Sequence, residues 1–154
     1  MKAISIQQPY AHLVAIGEKR VENRVRWKYS YFGPILIHAS KGRDYLLEED
    51  LSTFPSMAFG SIVGAVELIA VRSSLQLLMA GTKSAIYHGR RFVLDWVIDH
   101  KHTEGPMCLI FHDNAVMFPR PIPFRGQLGV FNVPDNLPGL AEQLAAFHPI
   151  GGVT

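Results

Sequence analysis

One stretch of the sequence, residues 7–40 (QQPYAHLVAIGEKRVENRVRWKYSYFGPILIHAS), constrains the fold more than any other. It opens with an apolar segment that starts at a proline and stops at Gly17, which is typical of a helix of about two turns. Residues 19–26 (KRVENRVR) then alternate in polarity and predict a strand. Residues 34–40 (PILIHAS) are almost wholly apolar and predict a buried strand. Because so short a helix does not persist alone, we expect it to pack on these strands.

The rest of the chain also predicts short strands with a few inserted helices. The other expected strands are residues 2–6, 60–72, 107–112, 116–118 and 126–133, with 107–112 and 116–118 forming a hairpin. The expected helices are residues 42–51, 73–98 in broken pieces (strongest at 91–99), and 137–147. Residues 119–123 (PRPIP) predict an extended connector that cannot sit in mid-sheet. This succession favours an α+β fold with a small β-barrel and flanking helices, in one domain of residues 1–154.

Several classes of protein are not expected. The first residues lack the apolar run of a signal peptide. The most apolar stretch, 62–71, is shorter than the roughly 20 residues of a membrane-spanning helix. We therefore expect a cytoplasmic protein. The single cysteine, Cys108, cannot form an internal disulfide. The pair His100 and His102 has ligand-like spacing but no accompanying cysteine pair or HExxH, so we expect no metal and no cofactor.

Charge is distributed unevenly along the chain. Residues 1–45 contain eight Lys and Arg against three Asp and Glu, a net charge of +5, whereas the remainder has seven against ten, a net charge of −3. A basic end suggests an anionic partner such as RNA or a phosphorylated small molecule. The alternative is an ordinary solvated surface.

Three charged residues of the predicted second strand are the main site candidates. Lys19 would act as a base if a cleft desolvated it, would contact phosphate if exposed, or would simply be a solvated lysine after a helix. Glu22 and Arg24 share one strand face, where they would either read the edge of a base or form an ion pair at the rim.

Other candidates surround this group. Glu67 is the only charge on an apolar face of the long strand 60–72, so it must be paired, protonated or facing a cavity. We expect Arg24 or Lys19 as its partner, in a structural or a catalytic role. The residues expected to flank the same site are Gln8, Ser40 and Lys41. Trp27 and its neighbouring aromatics would stack on nucleic-acid bases or plug the barrel.

The motifs together resemble a known family. The run GEKRVENR (residues 17–24) fits a G-x-K-x-x-E-x-R signature; it follows QQP and precedes a strand that ends in HASK. With the G-x-V-x-L of residues 64–68 and the late PIPFRG and VFNV, this order resembles the ASCH domains (activating signal cointegrator homology) over residues 3–134. The resemblance implies a PUA-like β-barrel whose mouth forms a cleft lined by the signature lysine, acid and arginine.

The resemblance also implies a function. Members are expected to bind RNA or nucleotides, and one small bacterial branch hydrolyses N4-acetylcytidine with a signature lysine and threonine. Lys19 matches that lysine, but Glu22 stands at the threonine position, and a carboxylate is not that nucleophile. The leading hypothesis is therefore an RNA- or nucleotide-binding cleft. The alternatives are a hydrolase of an N4-acylated cytidine or an RNA-cleaving enzyme, with Lys19, Glu22 and Glu67 as catalytic groups, or a protein-interaction module.

Overall fold

The computed structural model describes residues 1–44, 46–79 and 83–151. It is a mixed α and β fold, as predicted, and most of its regular structure is strand. The strands are β1 (Lys2–Ile6), β2 (Val21–Arg24), β3 (Gly33–Ala39), β4 (Ser61–Ser73), β5 (Ser84–Tyr87), β6 (Arg90–Val93), β7 (Met107–Phe111), β8 (Val116–Pro123) and β9 (Val130–Asn132). The helices are α1 (Tyr10–Ala15), α2 (Glu48–Thr53), α3 (Ser74–Leu78) and α4 (Leu140–Gln143), with 3-10 turns at Asp95–Val97 and Leu144–Ala146.

Seven strands form one sheet around the long strand β4. The order is β2-β7-β4-β3-β1-β9; β1 runs parallel to β3, and the other pairings are antiparallel. One edge of β4 pairs with β3, while its other edge pairs with β8 in its first half and with β7 in its second half. Strands β5 and β6 form a separate hairpin. β4 therefore connects every other part of the main sheet.

Three apolar clusters pack against this sheet, and β4 contributes to each of them. Helix α1 lies on the first cluster, through Ala11, Val14 and Ala15. Its contact with β4 requires Gly64, because a Cβ there would lie 2.6 Å from the Val116 carbonyl oxygen and 2.9 Å from the Ala15 Cβ. The two-turn helix predicted from sequence is thus held by the sheet, and its C-terminal end is placed beside the start of β2.

The expected barrel is not confirmed. Within the described ranges the strand pairing runs from β2 to β9 without joining these two end strands. The hairpin predicted from residues 107–112 and 116–118 is also wrong, because β7 and β8 each pair with β4 instead of with each other. The proline-rich segment 119–123 belongs to β8, where the prolines are tolerated because this strand pairs with β4 alone and its register breaks between Ile62 and Gly64.

The largest difference from the sequence prediction is in residues 73–98, expected to be helical. Among the residues of this segment that the structure describes, only α3 and the 3-10 turn Asp95–Val97 are helical, and between them β5 and β6 form the hairpin. His88 (φ 48°) and Gly89 (φ 71°) form the left-handed turn that such hairpins favour. Residues 80–82 of this segment lie outside the described residues.

Two predicted helices are shorter than expected, as is the last predicted strand. The helix predicted over 42–51 is found at Glu48–Thr53, and its residue Tyr45 lies outside the described part. The helix predicted over 137–147 consists of α4 and one 3-10 turn. The strand predicted over 126–133 is reduced to β9, which follows Gly129 at φ 69°. In the described ranges, no helix has the length and apolar character needed to cross a membrane.

Candidate functional site

A cleft of about 690 Å³ opens where β1 ends and β2 begins. Its walls come from residues 5–7 at the end of β1, from Tyr10 on α1, from residues 22–24 of β2, and from the loops before β7 and β9. The lining includes four of the residues singled out from sequence: Lys19, Glu22, Arg24 and Ser40. The fold therefore gathers on one concave surface segments that are more than 100 residues apart in the chain.

Lys19 lies at the base of the cleft and is only 3% exposed. Gly17, at φ 83°, reverses the chain after α1, and the Lys19 amide donates to the Leu13 carbonyl at 3.0 Å. The Lys19 ammonium is 3.0 Å from Glu22 Oε2, donates to the Val21 carbonyl, and lies 5.5 Å from the centre of the Tyr10 ring. Its donors are thus directed at protein groups.

Arg24 completes a chain of three charges. Its Nη2 lies 3.3 Å from Glu22 Oε1 and donates to the Ser5 carbonyl at 2.8 Å. The carboxylate of Glu22 therefore forms an ion pair with each of the two cations, and the cluster carries one net positive charge. The side chain of Arg24 is 27% exposed, and its buried Nε makes no hydrogen bond to any described residue. Arg24 is consequently the cation of this cluster that can reach a ligand.

The loop before β7 forms a further wall of the cleft, beside β2, and is held by Asn23. The Asn23 amide nitrogen donates to the His102 carbonyl at 2.6 Å, and its oxygen accepts from the amides of Glu104 (3.0 Å) and Gly105 (2.9 Å). A Cβ on Gly105 would lie 2.6 Å from the Asn23 Cβ, so the close approach requires glycine. One side chain on β2, between Glu22 and Arg24, therefore fixes the loop at the cleft.

His102 lines the cleft from this loop, and its buried Nε2 makes no hydrogen bond within residues 1–44, 46–79 and 83–151. Burial, followed by the charges of Lys19 and Lys101, lowers the pKa of His102. His100, two residues earlier, accepts the Arg20 amide at Nε2 (3.0 Å), and burial lowers its pKa as well. Both imidazoles are therefore neutral at pH 7.

A serine of β1 that lines the cleft contacts a histidine of β3. Ser5 lines the cleft, and its hydroxyl lies 3.1 Å from His38 Nδ1. The Nε2 of His38 is 2.8 Å from the Phe124 carbonyl oxygen, which can only accept, so Nε2 carries the proton and Nδ1 accepts from Ser5. Burial lowers the pKa of His38. Gly126 packs on this pair, because a Cβ there would lie 2.4 Å from the imidazole.

Other residues predicted for the site lie outside the cleft lining. Gln8 is fully buried, donates to the Ala58 carbonyl (2.7 Å) and accepts the His12 amide (2.9 Å), so it supports α1. Trp27 packs against the first apolar cluster. Lys41 is exposed, and its methylenes lie over Gly60.

The predicted pairing of Glu67 with Lys19 or Arg24 is wrong. Glu67 is fully buried and accepts hydrogen bonds from the Tyr87 hydroxyl (2.7 Å), the Asn114 amide (2.7 Å) and the backbone N–H of Ile150 (2.8 Å). Its carboxylate faces the β5–β6 hairpin and the C-terminal segment instead of the cleft. Burial and this carboxylate raise the pKa of the Tyr87 phenol. Glu67 therefore belongs to a separate, structural hydrogen-bond network.

Sequence reasoning missed several cleft residues: Ser5, Tyr10, Asn23 and His102, and the loop 127–129. The sequence analysis considered His102 only as one member of a possible zinc pair. Among the described residues, no group of three or more His, Cys, Asp and Glu side chains could hold a metal ion. Tyr10 directly follows the QQP segment and is 44% exposed. An aromatic residue directly after the proline of this segment was the available signal for it.

Comparison with known proteins gives a consistent result. A family model described as the ASCH domain matches residues 4–104. The fold is similar to the crystal structure of ASCH from Zymomonas mobilis, with 17% sequence identity over 87% of each chain and a TM-score of 0.50. Two single-substitution variants of that protein are equally similar, with 87% of this chain and 90% or 88% of theirs covered. No curated protein matches the sequence. At this identity the structural likeness concerns the fold.

Proposed function

This chain belongs to the ASCH domain family, and from that premise we propose that its cleft binds RNA or a nucleotide. The ligand would enter between the loop before β7 and the loop before β9, and Arg24 would contact it directly. The observation that carries the proposal is the guanidinium of Arg24, 27% exposed, inside a cleft of about 690 Å³ whose charge cluster is net positive. Such a donor suits a phosphate or carbonyl oxygen.

The three charged residues have different roles in this proposal. Lys19 is 3% exposed and bonded to protein groups, so it positions Glu22 instead of contacting phosphate. Glu22 in turn orients Arg24, which leaves the guanidinium edge directed at the ligand. Ser40 and Lys101 add a hydroxyl and a second cation at the rim of the cleft. Lys41 and Trp27 lie outside the lining, but they would contact a longer RNA strand that extends beyond it.

Binding is tested with a fluorescently labelled oligouridylate of about 12 nucleotides, a length that covers a small single-strand site. Arg24→Ala should weaken the affinity about tenfold and reduce the slope of log Kd against log salt by roughly one phosphate contact. Arg120→Ala is the matched control, because Arg120 is exposed and pairs with Glu142 away from the cleft. Equal affinities of wild type and Arg24→Ala would contradict the proposal and favour the protein-interaction alternative.

The hydrolase alternative is supported by one observation, the hydrogen bond from Ser5 to the neutral His38 in the cleft. A hydroxyl that donates to a neutral imidazole is the arrangement of an activated nucleophile. We propose this activity as second candidate, with an ester or amide of a modified nucleoside as substrate. A fluorophosphonate probe should then label Ser5 and leave Ser5→Ala unlabelled. An unlabelled wild-type protein, together with no turnover of N4-acetylcytidine, would exclude it.

We also infer that residues 1–154 act as a single domain. In support, the terminal amine of Met1 donates to the Val133 carbonyl at 2.8 Å, and β1 pairs with β9. The C-terminal helical segment packs on the cluster formed by β1, β3, β4 and β8, through Leu140 and Phe147.

A further inference from the structure

We propose that His102 contacts an anionic oxygen of the ligand, such as a phosphodiester oxygen, and takes up a proton when that ligand binds. This inference rests on the proposed function of the cleft and adds a ligand-contacting residue to it. It also makes affinity dependent on pH in a defined direction. Nothing in the sequence motifs or in the similarity to other ASCH domains assigns this role to His102.

The first support is the unsatisfied ring nitrogen. His102 Nε2 is buried, lies on a residue that lines the cleft, and makes no hydrogen bond to any part of the chain that the structure describes. Buried polar nitrogens almost always have a partner, because leaving one unpaired costs about 1–3 kcal/mol. The His102 side chain as a whole is half-buried at the cleft, so a rotation of the ring would bring Nε2 to a ligand oxygen there, which would provide that partner.

The second support is the rigidity of the loop at this point. The carbonyl of His102 accepts the Asn23 amide at 2.6 Å, and the next two anchored amides are those of Glu104 and Gly105. The backbone of His102 is therefore tied to β2, in the same three-residue segment that presents Glu22 and Arg24. The imidazole is therefore presented, from a fixed backbone position, to the same cleft that Arg24 lines.

The third support is the electrostatic setting. The groups that face His102 are the cations Lys19 and Lys101, the carboxylates Glu104 and Glu18, and the rings of Tyr10 (6.5 Å) and His100 (5.5 Å). Burial and the two ammonium groups lower the pKa of His102, and they outweigh the opposing carboxylates. The imidazole is neutral in the free protein, and the cations around it favour an anion as ligand.

An anionic oxygen at Nε2 raises the pKa of His102 again, because a nearby negative charge stabilises the imidazolium. The pKa of His102 is then higher in the complex than in the free protein. Between these two values, binding is accompanied by proton uptake, so Kd falls as pH falls. Above both values the ring stays neutral and the affinity does not depend on pH through this residue.

The experiment measures the Kd of labelled oligouridylate from pH 8 to pH 5.5, a range in which its bases and phosphodiesters keep their charge. Wild type should bind at least about fivefold tighter at pH 5.5 than at pH 8. His102→Gln keeps one donor and one acceptor but does not titrate, so its Kd should be nearly constant. The matched control is His148→Gln, an exposed histidine away from the cleft lining, which should behave like wild type. Circular dichroism at each pH verifies folding.

A direct readout is the imidazole titration of His102 by NMR, which should shift to higher pH when oligouridylate is added. The inference is overturned if His102→Gln has the same pH dependence as wild type, or if wild type binds with a Kd that does not change with pH. In both cases the proposed function survives, because RNA still binds. If wild type binds no oligouridylate at any pH, the proposed function and this inference fail together.

Discussion

Replacing Glu67 by alanine should lower the free energy of unfolding by about 3–5 kcal/mol and leave the affinity for RNA unchanged. The carboxylate is fully buried and accepts three hydrogen bonds, from Tyr87, Asn114 and Ile150. Alanine leaves these donors without an acceptor and opens a cavity. Each unpaired buried donor costs about 1–3 kcal/mol. Because the C-terminal segment can relax in the variant, we expect the net loss to be smaller than the three separate costs added together. Because a domain of this kind is stable by about 5–15 kcal/mol, the variant should still fold.

Glu67→Gln refines the same prediction. The new amide group keeps one acceptor oxygen but presents N–H to at least one of the three donors, so we expect an intermediate loss of about 1–3 kcal/mol. Urea unfolding followed by circular dichroism gives both values. The control is Glu142→Gln, which removes an exposed ion pair with Arg120 and should change stability by less than about 1 kcal/mol.

Two results would refute the reasoning about Glu67. If Glu67→Ala were as stable as wild type, the hydrogen-bond network would not stabilise the fold. If Glu67→Gln bound RNA much more weakly while remaining folded, Glu67 would belong to the cleft, as the sequence alone had suggested.

Two further predictions concern the residues around the cleft. Asn23→Ala removes three hydrogen bonds to the loop backbone, so the amides of Glu104 and Gly105 should exchange with solvent at least tenfold faster in a hydrogen-exchange experiment. Asn23→Asp keeps the acceptor and should give a smaller change, and equal protection in all three proteins would disprove the anchoring role. Burial lowers the pKa of His38 in the folded protein below its unfolded value of about 6.5. Between the folded and the unfolded pKa the unfolded chain binds more protons, so the free energy of unfolding should fall as pH is lowered from 7.5 to 5.5. The urea midpoint should decrease over that range in wild type and decrease less in His38→Gln; an identical decrease would assign the effect to other groups.

The sequence predicted the charge cluster because alternation determines which residues share a strand face. Glu22 and Arg24 are two residues apart on β2, and Gly17 turns the chain so that Lys19 precedes them. These are local relations, within one turn of the chain. No such relation determines which end of β4 approaches the cleft, and Glu67 was therefore assigned to it incorrectly.

The residues that sequence reasoning missed are placed by contacts between distant segments. Asn23 meets the backbone of residues 102–105 across about 80 positions of the chain. The apolar spacing of residues 91–99 resembles a helical stripe, but the turn at His88 and Gly89 pairs residues 84–87 with 90–93 instead. Pairing with β4 likewise takes precedence over the hairpin expected at residues 113–114. In each case a tertiary contact overrides a local pattern.

The position of β4 has a consequence for synthesis of the protein on the ribosome. One edge of β4 pairs with β3, which is synthesised before it. The other edge stays unpaired until β7 and β8, tens of residues further along the chain, have been synthesised. Until residue 123 has left the exit tunnel, the nascent chain displays an apolar strand with open backbone groups. Such an edge can pair with other strands, so this long strand is exposed to non-native pairing during translation.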